Sequence, residues 1–167
     1  MSIPKNEEIR DNLMIEFSKT VGNFGLSPVE ARLFAHLYLS KEPLTLDDMS
    51  EALGKSKTSM STSVRTLSDL NLVTRVWKKG VRKDLYQANN QLFKTFMNSY
   101  INKWIDTTKH QKDALENNKH LIDQKRKEES SEELSNLYER MHDILEFHIL
   151  VERLFRSMKE TGIDEAD

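Results

Sequence analysis

The strong helix breakers of this chain are confined to its first half and its extreme end. All three prolines (Pro4, Pro28, Pro43) and four of the five glycines (Gly22, Gly25, Gly54, Gly80) precede residue 81, and the next of either type is Gly162. Proline removes an amide donor and glycine loses the most backbone entropy on ordering, so the two residues punctuate regular structure. Short elements are therefore expected over residues 1–90. Long helices are expected over 91–167, broken only at the polar stretch 128–131. A chain of 167 residues with 37% hydrophobic and 31% charged residues has a large surface for its core, which suits one small domain plus an elongated helical region.

Within the punctuated half, Ile9, Leu13, Phe17 and Val21 recur every four residues and mark an amphipathic first helix ending near Gly22-Asn23. Ser27-Pro28-Val29-Glu30 supplies an N-cap, a proline at the first helical position and a reciprocal glutamate. These open a second helix through Leu33, Phe34, Leu37 and Tyr38, which Lys41-Glu42-Pro43 stops. Thr45 caps a short third helix carrying Leu46, Met49 and Leu53, and Gly54 supplies the left-handed residue that ends it. A fourth helix starts at once near Ser56 and runs to about Leu70, with Met60, Val64 and Leu67 on one face. Thr58, Ser61, Thr62, Arg65 and Asp69 fall on the other.

Two helices joined by a short glycine-containing turn form a helix-turn-helix pattern. Behind it, residues 72–77 are rich in β-branched and aromatic side chains, Lys78-Lys79-Gly80 reads as a turn, and 81–86 is expected to return as a second strand. This hairpin makes a wing. The fold class is thus mainly α with a small β-hairpin wing: a winged helix-turn-helix over 1–90, followed by helical dimerisation over 91–167.

Charge sharpens the functional reading. The formal net charge of −2 conceals a window, 55–83, holding eight basic residues and one acid, Asp69; the local charge is +7 and the remainder carries −9. Such a separation draws phosphate to one surface. The run from Ser56 to Ser63 has a linker-like composition, but its apolar face makes it a helix. Its polar face alone is compatible with plain solvation; its place between a helix-turn-helix and a basic hairpin favours contact with double-stranded DNA. Small hydroxyls at Ser56, Thr58, Ser59, Ser61 and Thr62 permit close approach, Lys57 lies at the phosphate-favouring helix start, and Arg65 reaches a guanine edge or a phosphate. Lys78, Lys79, Arg82 and Lys83 at the wing tip are expected on the backbone or minor groove.

From Asn90 onward, apolar pairs recur at Leu92/Phe93, Phe96/Met97, Tyr100/Ile101 and Trp104/Ile105. Ser130 with Glu133 suggests a capping box for a last helix, whose Leu134, Leu137, Met141, Ile144, His148, Val151, Phe155 and Met158 alternate steps of three and four. A narrow helical hairpin has little to bury against within one chain, so a homodimer is expected. His148 in the seam suits a register-fixing polar residue or a pH-sensitive contact.

Other chemistries are excluded or unsupported. The chain has no cysteine, which rules out disulfides, thiolate zinc sites and a cysteine nucleophile. His36, His110, His120, His142 and His148 are scattered without metal-ligand spacing, and no phosphate loop, serine elbow or isolated acid pair appears. No enzyme activity, metal or cofactor is expected. Apolar runs fall far short of the roughly 20 residues a membrane helix needs, and Met1-Ser2-Ile3-Pro4-Lys5 carries no secretory apolar core, so a cytoplasmic protein without membrane contact is expected.

The segments 53–65 (LGKSKTSMSTSVR) and 76–86 (VWKKGVRKDLY) resemble MarR-type winged-helix regulators, closest to the branch of choline-sensing GbsR-type repressors of glycine betaine synthesis or uptake genes. The likeness spans about 20–105. It implies a homodimer held by terminal helices, a ligand pocket where the winged domain meets them, and repression of osmoprotectant genes released by choline. A quaternary ammonium is held by the negative faces of aromatic rings; the candidates are Phe34, Tyr38, Trp77, Phe96, Tyr100 and Trp104. The same spacing also suits ordinary core packing, and sequence does not choose between the two. A different effector, such as a phenolic or another cationic amphiphile, fits these residues as well. A winged protein-interaction module is the rival from another class, and the +7 window argues against it.

Overall fold

The computed structural model describes residues 5–161; Met1–Pro4, read above for a leader, and the late breaker Gly162 lie outside them. The elements are α1 (Asn6–Gly22), α2 (Pro28–Tyr38), α3 (Leu46–Leu53), α4 (Lys57–Asp69), β1 (Val73–Val76), β2 (Leu85–Ala88), α5 (Leu92–Glu128) and α6 (Glu132–Thr161). They form two compact units, Met1–Phe96 and Met97–Asp167.

In the first unit the helix starts follow the local chemistry of their caps. The Glu30 amide donates to Ser27 Oγ at 3.3 Å and the Ser27 amide to Glu30 Oε2 at 2.8 Å. Asp48 and Thr45 repeat the exchange at α3, and the Ser59 amide donates to Ser56 Oγ at 3.1 Å at α4. Gly54 closes α3 at φ +64° with open space around it, so the left-handed backbone, not crowding, makes glycine the suitable residue there. Asn71 takes the same conformation, φ 58°, behind α4, and the Leu72 amide returns to the Leu67 carbonyl at 2.9 Å. Asparagine tolerates this region better than most side chains.

Leu33, Phe34, Met49, Met60 and Leu67 are fully buried in one cluster that also takes in Val64, Leu72, Val73 and Phe96. The apolar faces read for α2, α3 and α4 thus form the core. The wing departs from its expected register. Val73 pairs with Ala88 and Val76 with Leu85, so β2 starts at Leu85 rather than Val81. Leu85 is buried, whereas Val81 remains exposed beside the turn closed by its own amide to the Lys78 carbonyl. Burial of Leu85 sets the register and leaves residues 77–84 as a long loop. On the other edge of β2, Leu44 and Tyr86 exchange both backbone hydrogen bonds at 2.8 and 2.9 Å.

In the second unit α5 and α6 form an antiparallel pair. Phe155 meets Tyr100 and Trp104 at one end, Lys112 meets Glu152 farther along, and Arg126 lies 4.3 Å over the Tyr138 ring. The cap of α6 is one residue later than expected: the Leu134 amide donates to Ser131 Oγ, not to Ser130. The α6 seam is also divided. Leu134, Met141 and Leu145 are buried, with Tyr138, His148, Glu152 and Phe155 completing that face, while Leu137, Ile144 and Met158 are exposed. Of the expected seam, Leu134, Met141, His148 and Phe155 face inward and Val151 is half-buried. The rest form an outer apolar row with Phe147 and Leu154, both more than half exposed.

Glu152 is nearly buried and accepts from Lys112 at 2.7 Å and Arg156 at 2.9 Å. The Lys112 hydrogen bond, then that of Arg156, holds its carboxyl below the usual range despite burial. A depressed folded-state pKa contributes stability that is complete above the unfolded-state value and is lost as pH falls through the folded-state value. Urea unfolding followed by circular dichroism between about pH 6 and pH 3 should therefore show a steeper acid loss for the wild type than for Glu152→Gln; parallel profiles would refute it. Phe34→Ala should lower stability by about 3–5 kcal/mol in the same assay, and a change below about 1 kcal/mol would contradict its place in the core.

Candidate nucleic-acid interface

The candidate surface is built from α4 and the wing loop. Because Met60, Ser63, Val64 and Leu67 are buried, the helical period turns Lys57, Thr58, Thr62 and Arg65 to solvent, with Ser56 exposed at the cap and Ser59 and Ser61 half-buried at the margin. The hydroxyls are not equivalent. Thr62 Oγ1 donates to the Thr58 carbonyl at 3.1 Å, so towards a ligand it presents acceptor lone pairs. Ser56 Oγ accepts the Ser59 amide and keeps its own proton for donation.

The wing loop holds Lys78, Lys79, Arg82 and Lys83, all exposed. Arg75 on β1 pairs with Asp84 at the loop's far end. Lys78 approaches Glu42 at 3.6 Å, and Lys83 and Lys57 both reach Asp47, at 2.6 and 3.1 Å. Hydrogen bonds from Lys83 and then Lys57 hold the Asp47 carboxyl below its ordinary range, and Asp47 in turn raises the Lys83 ammonium. Among the described residues no ion pair engages Arg65, Lys79 or Arg82. The cationic candidates therefore divide into three tied to body acids or neighbours and three free to meet a ligand. Sequence reading missed Asp47 and Glu42, because the pair Asp47–Lys83 spans 36 residues and leaves no local periodic trace.

The six aromatic candidates fall in three places. Phe34, Tyr38 and Phe96 belong to the first unit: Phe34 lies 5.0 Å from Phe96 and 6.3 Å from Tyr38, with Phe17 and Phe24 alongside. Tyr100 and Trp104 belong to the second, where Phe155 stacks parallel to Trp104 at 5.4 Å. Trp77 stands in the wing loop, 82% exposed, with no ring partner among the described residues. Phe155 was read as part of a seam; only the pairing of the two long helices brings it to Trp104. The described residues contain no group of side chains able to hold a metal ion, and none of their helices is long and apolar enough to cross a membrane.

Comparison with known proteins gives a consistent result. Residues 24–78 match the MarR family. The HTH-type transcriptional repressor GbsR of Bacillus subtilis (strain 168) is 30% identical over 161 residues, covering 93% of this chain and 88% of the relative. The repressor OpcR of the same organism is 29% identical over 153 residues, covering 89% and 83%. A crystallised transcriptional regulator matches with a TM-score of 0.50 at 16% identity, over 90% of this chain and 98% of that one, a likeness of fold alone.

If a duplex lies against α4 and the wing, the two groups of side chains separate by their salt response. Arg65→Ala should cost about 1–3 kcal/mol on the cognate site and relax base preference, while Arg82→Ala should weaken all duplexes alike and lower the salt slope by about 1. Fluorescence anisotropy at several salt concentrations measures both. Unchanged affinity for Arg65→Ala would remove Arg65 from the interface.

Proposed function

The chain belongs to the MarR family of transcriptional regulators, which are not enzymes, and from that premise we propose that it is a homodimeric repressor that releases its operator when it binds choline. The observation that carries the DNA-binding part is the two-sidedness of α4. Its apolar face is buried in the core while Thr58, Thr62 and Arg65 remain exposed beside a basic wing. A dimer would set two such helices in successive major grooves of a pseudo-palindromic operator, about one helical turn apart. The outer row of α6, Leu137, Ile144, Phe147, Leu154 and Met158, supports self-association, because an apolar stripe of this length at heptad-like spacing calls for another helix.

The effector assignment rests on the resemblance to the choline-responsive GbsR-type branch and on aromatic rings in both units. Osmoprotectant genes, those for glycine betaine synthesis or uptake, are the corresponding targets. Trp104 is 40% exposed and Tyr38 36%, so each offers ring surface to a cation that cannot donate hydrogen bonds. An effector releases DNA only through a higher affinity for the conformation that binds DNA poorly.

Titration of the purified protein with choline, followed by tryptophan fluorescence, should give a saturable change that persists in Trp77→Phe. Saturating choline should weaken binding to DNA from the gene's own upstream region by at least about 5-fold, the lower end of usual coupling. Operator affinity that ignores choline would overturn the effector and leave the DNA-binding reading in place.

A further inference from the structure

We infer that Asp47 is a built-in stand-in for a DNA phosphate: in the free protein its carboxylate holds Lys57 of α4 and Lys83 of the wing loop, and a backbone phosphate takes over both lysines when DNA binds. This rests on the DNA-binding reading above.

The geometry is specific. Lys57 Nζ lies 3.1 Å from Asp47 Oδ1 and Lys83 Nζ lies 2.6 Å from Oδ2, so each carboxylate oxygen serves one lysine. A phosphodiester likewise presents two terminal oxygens sharing one negative charge. Asp47, Lys57, Arg82 and Lys83 line a single surface cleft, together with Thr45 and Asp84. Lys57 and Lys83 are exposed and Asp47 is half-exposed, and solvent-accessible pairs of this kind are weak and screened. They are therefore readily exchanged for a phosphate whose neutralisation also releases condensed counterions.

Two consequences follow from the charge. Without DNA, one carboxylate ties the wing loop to the start of α4, two segments with no backbone pairing between them. With DNA near, the same carboxylate competes for both lysines and repels the incoming phosphate. Pre-ordering of the lysines would favour DNA binding and competition would oppose it; exposed pairs this weak restrain two long lysine side chains only loosely, so competition together with repulsion of the phosphate is the larger effect. Asp47 is thus a positioning residue that restrains affinity for duplexes in general, because the exchange involves phosphate and not bases.

The test uses the full-length protein and fluorescence anisotropy with DNA from its own upstream region and with a random duplex. Asp47→Asn, of nearly the same shape, should bind both duplexes roughly 3- to 10-fold tighter at low salt, the range two weak exposed pairs allow. The gain should shrink between about 50 and 200 mM salt. It should be markedly smaller in a Lys57→Ala/Lys83→Ala background, where only the direct repulsion between Asp47 and phosphate is left to relieve, and Asp47→Glu should keep wild-type affinity. Unaltered circular dichroism and melting for Asp47→Asn keep the reading on the interface. Unchanged or weaker binding by a folded Asp47→Asn, with the wild type still binding, overturns the inference alone; a wild type that binds no duplex overturns the DNA-binding reading and this inference with it.

Discussion

Burial of one face of α4 is the constraint on which the rest of the first unit depends. Met60 and Leu67 have no exposed surface and Val64 almost none, so the helix has no rotational freedom about its axis. Its rotation is set by the fit of those side chains among Leu33, Phe34 and Met49, and interiors packed at crystal-like density do not tolerate slippage. The exposed face carrying Thr58, Thr62 and Arg65 is therefore held rigidly without a single interaction of its own being needed. Functional groups placed on the back of a core helix inherit the precision of the core.

The wing obeys a different logic. Its strands are short, four residues each, and the loop beyond them is anchored by charge instead of apolar contact. Arg75–Asp84, Lys78–Glu42 and the Asp47 triad stand where a packed loop would have hydrophobic contacts. Exposed, screened contacts of this kind are readily exchanged for others, so the loop is held less firmly than the core helices. The cost is that some of its positive charge is already engaged, which a simple count of basic residues does not register.

The second unit separates two apolar surfaces on one helix. The inner face of α6 packs on α5 through Leu134, Met141 and Leu145 and closes around the nearly buried Glu152 with its two cationic partners. Each partner serves a different carboxylate oxygen, Lys112 at Oε2 and Arg156 at Oε1, so losing either leaves one oxygen unsatisfied in a poorly hydrated place. The outer face has no such polar element from Ile144 to Met158 along its heptad row. One face thus completes the hairpin, and the other is free for an intermolecular contact.

Helix number and order and the caps of α2, α3 and α4 were legible in the residues because their causes are local: Ser27, Thr45 and Ser56 bond amides three residues away, and Gly54 ends α3 through its own backbone freedom. The exposed and buried faces of α4 were legible for the same reason, as a helical period needs only the sequence of one helix. The wing register, the Leu44–Tyr86 pairing, the cap at Ser131 and the inward face of α6 were not. The wing register, the Leu44–Tyr86 pairing and the inward face of α6 were decided by what a distant segment buries or satisfies, whereas the cap at Ser131 is a local choice between two adjacent serines. The Asp47 triad and the Trp104–Phe155 stack join residues far apart in the chain, and the energies that select them exist only once the helices are packed. By itself the sequence determined which elements form and which face of each is apolar; tertiary structure alone decided which charges and rings meet, because those encounters depend on distances that local periodicity does not encode.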